Sequence, residues 1–148
     1  MAAALALAGC VGGPSAAEAR IVRFVPVPAA LVEAAATSEA LARGFSRLPD
    51  GRWQWVVARK KDPILGVVAV EGDPPLVIRY ALKCEAVTEE ATRVVLEPVA
   101  ALKTMLRADY RETPLGAGAR GELAAMLDVA LAEAQAAWAT QASVKKAK

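Results

Sequence analysis

A chain of 148 residues is long enough for one domain with a single core and too short for two comfortable ones. Eighteen Lys and Arg stand against sixteen Asp and Glu, and the net charge of +2 excludes a global field that would gather nucleic acid or an anionic membrane. There is no histidine and there are only two separated cysteines, which excludes Ser-His and Cys-His dyads, His-ligated zinc and a four-sulfur metal site. Hydrophobic types make up 55% of the chain, but about a quarter of all residues are alanine, so packing must come from Leu, Ile, Val and the few aromatics.

The first ten residues, MAAALALAGC, are small and apolar, and no Lys or Arg precedes Arg20. Leu7-Ala8-Gly9-Cys10 resembles the lipobox of bacterial lipoproteins, where cleavage before the cysteine leaves it as a lipid-modified first residue. Small residues let the backbone extend into a peptidase, and the cysteine thiolate is the nucleophile that takes the diacylglyceryl group. The resemblance implies a lipid anchor at Cys10 and a domain in the periplasm of a bacterial envelope. Residues 11–19, VGGPSAAEA, have the composition of a flexible linker, which is what a tether requires. The expected organisation is a signal remnant and linker over 1–19, one domain over 20–142 and a disordered basic tail over 143–148.

From Arg20 the pattern becomes that of folded structure. RIVRFVPV is β-branched and aromatic, a short strand stopped by Pro26 and Pro28. A helix follows from Pro28, with a stripe of Leu31, Ala35, Ser38, Leu41, Ala42 and Phe45 and with Gly44 as its stop. Strands are expected at 52–58, with Trp53, Trp55 and Val57 on one face, and at 64–71, ILGVVAVE. In the strand at 76–86, Leu76, Ile78, Tyr80, Leu82 and Cys84 alternate with Arg79, Lys83 and Glu85, which predicts one wet side. Thr88 to Ala91 forms a turn into TRVVLEPV. Residues 99–110 fit a helix started by Pro98 or a prolonged strand, with the helix preferred; 111–118, RETPLGAG, break the chain. The best helix is 119–142, with Leu123, Leu127, Leu131, Ala134 and Trp138 in one stripe.

Short connections between consecutive strands predict an antiparallel meander, and the fold expected is α+β, four or five strands covered on one face by the first and last helices. The helix, its Gly-Phe exit and the following hairpin, VPVPAALVEAAATSEALARGFSRLPDGRWQWVVA (residues 25–58), resemble a unit of envelope lipoproteins of the β-barrel assembly type. That resemblance implies a fold suited to the same compartment and carries no activity.

Four patterns invite chemical readings. Gly116-x-Gly118-x-x-Gly121 spells a dinucleotide fingerprint, but it lacks the strand before it and the acid beyond that such a site needs, so a hinge and helix start is the reading. Ser143-x-x-Lys146 spells a serine-lysine pair in a tail that cannot hold catalytic geometry. Glu89 and Glu90 adjoin in a turn and point apart into water. Segment 43–61 sets Arg52, Arg59, Lys60 and Lys61 around Trp53 and Trp55, the composition of a single-strand nucleic-acid surface or of a site for another anionic partner. The two tryptophans are read first as core, because few other large residues could build one. Cys84, on an apolar strand face, is read as a small buried hydrophobe, with a disulfide to an unprocessed Cys10 as the alternative.

The function expected from the sequence is therefore a lipid-anchored envelope protein, non-enzymatic and without cofactor or metal. Its partners would be the membrane, through the lipid, and another envelope protein or an anionic envelope polymer. A cytosolic nucleic-acid-binding module using segment 43–61 is the alternative.

Overall fold

The computed structural model describes residues 19–56, 76–103 and 110–148, leaving out the side chains of Leu76 and Lys103. Six strands and two helices follow one another as β1 (Ile21–Val25), α1 (Ala29–Ala42), β2 (Ser46–Arg47), β3 (Trp53–Val56), β4 (Leu76–Thr88), β5 (Ala91–Lys103), β6 (Tyr110–Pro114) and α2 (Ala117–Lys146). All pairings are antiparallel in the order β1-β5-β4-β3-β2, and β6 also pairs with β5. Strands β2 to β5 form an antiparallel meander, with β2 at Ser46–Arg47 where no strand was expected and with β3 paired directly to β4. The sheet has one strand more than the upper count expected.

The first strand ends before Pro26, as its sequence dictates, and the chain turns through Val27, which is fully buried. Thr92, the one buried polar residue among those described, donates its hydroxyl to the Val27 carbonyl at 2.7 Å and fixes that turn to β5. Helix α1 ends on Gly44 at φ +85°. The Phe45 N–H reaches the Ala40 carbonyl and the Gly44 N–H that of Leu41, the paired bonds of a left-handed helix stop. This exit drives Phe45 into the core against Trp55 and Tyr80.

The buried line of α1 is Val32, Ala36 and Ala40, with Leu31 and Ala35 at its margin, whereas Leu41 is 59% exposed. The expected stripe is thus rotated. In a helix this rich in alanine the faces differ little in hydrophobicity, and the pattern fixes the rotation weakly. Helix α2 buries Leu123, Met126, Leu127, Ala130, Leu131 and Ala134 and packs against α1, so both helices cover one face of the sheet. It runs on to Lys146, through residues read as a disordered tail, and Lys145 and Lys146 fall in its last turn where cations oppose the helix dipole.

Two further expectations give way. Residues 99–103 continue β5 past Pro98, and 110–114 form β6, where a helix and a break were expected; residues 104–109 lie outside those described. Ala100 and Ala101 are both buried although they point to opposite faces, so the run carries no alternation to betray a strand. Pro98 is tolerated because it sits where β1, paired as far as Leu96, has ended and β6, paired from Val99, has not begun. At that point β5 is locally an edge. The predicted wet side of β4 is wet only from Lys83 onward, because Val77 on the same side is fully buried and the Arg79 side chain is 14% exposed. The strand expected at 64–71 lies outside the described residues.

Candidate functional site

The Arg/Trp segment folds into two separate environments. Trp53 faces Tyr80 across β3 and β4 and is 4% exposed in the core. Trp55 is half-buried against the same core, its ring 6.3 Å from that of Phe45. The guanidinium of Arg47 lies over Trp53, at 5.6 Å, so the ring that was to stack on a base is spent on packing and on that cation. Cys10, Arg59, Lys60 and Lys61 lie outside the described residues.

Arg52 belongs to a polar cluster on the face of the sheet opposite the helices. The β2–β3 turn, closed by a Leu48–Arg52 backbone bond and by Gly51 at φ +87°, brings Asp50 beneath Arg52. The Asp50 carboxylate accepts the Arg52 backbone N–H at 3.0 Å and its Nε at 2.8 Å. The backbone bond first, and the side-chain bond next, hold the Asp50 pKa below the usual carboxylate range. On its other side Arg52 donates to Glu112 on β6, which also receives Arg79 at 3.5 Å. Glu112 and Asp50 together raise the Arg52 pKa further, so its charge is permanent. Arg79 completes the cluster by donating to the Gln54 side chain at 2.8 Å and lying 4.7 Å from the centre of the Tyr110 ring.

Beside this cluster, where β1 gives way to β6 along β5, opens a cleft of about 310 Å³ walled by Ala19, Pro98, Val99 and Pro114, with Arg20, Glu97 and Glu112 among its lining. Arg20 and Glu97 are paired at 2.9 Å, and Glu97 also accepts Lys83 at 3.3 Å. Every carboxylate here already has a cation. The arrangement can hold the sheet's outer face in register and offer charge-lined apolar surface, and among the described residues each carboxylate of the cluster and cleft is held in an ion pair.

Sequence reasoning missed Arg79, Tyr110 and Glu112 as members of this cluster. Glu112 lies in a stretch with the composition of a chain break, and only the pairing of β6 with β5 brings it to Arg52, 60 positions away.

The remaining patterns resolve one by one. A strand does precede Gly116-x-Gly118-x-x-Gly121, contrary to expectation, since β6 ends at Pro114. None of the three glycines has a positive φ, and a Cβ at any of them would meet nothing within 4 Å. The close approaches that make glycine necessary in a dinucleotide fingerprint are therefore missing. Ser143 and Lys146 sit on the exposed last turns of α2, with the Ser143 hydroxyl donating to the Ala139 carbonyl at 2.9 Å. Glu89 and Glu90 form the exposed two-residue turn of the β4–β5 hairpin. Cys84 is a free thiol, half-buried on the helix side of β4; burial, and then the charge of Glu33, push its pKa up to about 11.

No family model matches this chain, and comparison with curated proteins and with solved structures likewise gives no match. Among the described residues, no helix is long and apolar enough to cross a membrane, and no group of acidic or Cys side chains is arranged to hold a metal.

Proposed function

We propose that this chain is a lipid-anchored protein of the bacterial envelope, tethered through Cys10, whose α+β domain acts as a non-enzymatic structural or interaction module in the periplasm. The single observation that carries the reading is the ordered quartet Leu7-Ala8-Gly9-Cys10 followed by a Gly, Pro, Ser and Ala linker. The domain's geometry is compatible with it. Ala19, the first described residue, is buried and lines the cleft at the β1–β6 junction, directly after the sequence read as a linker. The alternative, a nucleic-acid module, loses its best stacking ring to the core at Trp53.

The test is fractionation of the chain expressed from its native start. Wild type should partition with membranes and Cys10→Ser should be released into the soluble fraction. If both partition as soluble protein, the reading fails.

A further inference from the structure

Strand β3 stops pairing with β4 at Tyr80, so among the described residues no strand pairs with the outer edge of β4 from Ala81 to Thr88. That leaves a row of backbone donors and acceptors available to another strand. Helix α1 lies over β4 and β5 on the inner face, and Leu82 and Cys84 remain half-buried. The sequence along the edge, Ala81-Leu82-Lys83-Cys84-Glu85-Ala86-Val87, has a chemical symmetry about Cys84. We propose that this edge pairs with the same edge of a second copy, antiparallel and centred on Cys84, to form a twofold dimer with one continuous sheet.

The register follows from the side chains. A twofold axis at Cys84 sets Lys83 opposite Glu85 of the other copy, twice over, with Leu82 opposite Ala86 on the helix side, and Ala81 comes opposite Val87 at the bulge between Ala86 and Thr88 that ends the regular part of β4. Odd slips are excluded because they would set outward side chains against inward ones. The two nearest even slips put Lys83 against its own copy or Glu85 against its own copy, and like charges directly opposite repel. Within each copy Lys83 already meets Glu97 at 3.3 Å and Glu85 meets Arg93 at 2.6 Å. The charges therefore alternate in sign across the seam. A seven-residue pairing buries less surface than a permanent dimer needs, so the association is concentration-dependent.

The test uses the full-length chain carrying Cys10→Ser, in reducing buffer, and is independent of any lipid. Sedimentation velocity from about 1 to about 100 µM should show a reversible dimer. Lys83→Glu and Glu85→Lys should each weaken it about tenfold or more, since each sets like charges opposite, while an equimolar mixture of the two should restore it by recreating both opposite-charge pairs. A folding defect in either variant would not be rescued by mixing. Amide exchange of the unsubstituted chain adds a reading free of variants: protection of residues 81–87 should rise with concentration, and the β1 edge should be unaffected. A monomer throughout that range, a mixture no better than its components, or protection that does not change at 81–87 would overturn the proposal.

Discussion

Trp53 is the residue on which the core and the binding readings of the Arg/Trp segment divide. It is 4% exposed, opposite Tyr80, in a core whose other members are mostly aliphatic and small. Truncation to Ala removes a large ring that the surrounding sheet and helices cannot collapse to fill. Trp53→Ala is expected to cost about 3–5 kcal/mol in denaturant unfolding. Trp55→Ala, half-exposed, should cost less, in the range of about 1–3 kcal/mol. A Trp53→Ala chain as stable as wild type would return that ring to the surface. Cys84 gives a pH signature at the same scale. Its thiol ionises near 9 when free and near 11 in the fold. Below about 9 both states hold the proton and nothing is gained or lost. Between 9 and 11 the unfolded chain releases a proton that the folded chain keeps, so stability falls as pH rises through that window and levels above it. Cys84→Ala is spared this loss. The gap between wild-type and variant melting temperatures should therefore shift against wild type from about pH 8 to about pH 11; a flat difference contradicts the burial of the thiol. Tyr80, whose hydroxyl pKa burial also raises, is common to both chains and cancels.

At the scale of elements, the helices are not equally committed to the core. Helix α2 buries its side chains between Leu123 and Ala134, with Trp138 half-buried, and its last turns are mostly exposed. Removing residues 119–148 uncovers the inner side of α1 and the core side chains around β1 and should give aggregation or loss of a cooperative melt. Ending the chain after Ala139 removes little more than the Lys145 cation over Trp138, 5.7 Å from its ring, and should cost only about 0.5–1 kcal/mol. A chain lacking 119–148 that melts cooperatively at the wild-type temperature would make α2 an appendage. The elements also differ in how legible they were. Strands with one apolar and one charged side, such as β4 around Tyr80 to Glu85, could be read from alternation, and so could α2 from its leucine spacing. The end of β5 could not, because Ala100 and Ala101 are buried on opposite faces and the run looks the same as a helix. Strand β6 has no pattern of its own: Tyr110-Arg-Glu-Thr-Pro114 becomes a strand because the edge of β5 is there to pair with. The Arg52–Glu112–Arg79 cluster was hidden for the same reason, since it exists only once β6 is in place.

For the whole molecule, the sheet divides the surface into two sides with different uses. Helices cover one, and the other carries the Arg52 and Arg20 ion pairs and the cleft near Ala19. Exposed pairs of this kind add little stability individually, and their screening by salt makes them better suited to orienting a partner than to holding the fold. An anchor ahead of Ala19 would set the domain on a short tether, and tethering two copies in one bilayer raises the effective concentration at which the β4 edges meet. This picture depends on what becomes of Cys10. The most direct measurement is the mass of the N-terminal peptide of the chain purified from membranes after expression from its native start. The account predicts a mature protein that begins at Cys10 and carries a diacylglyceryl group on its sulfur; a peptide retaining Leu7-Ala8-Gly9 ahead of a free Cys10 thiol would contradict it.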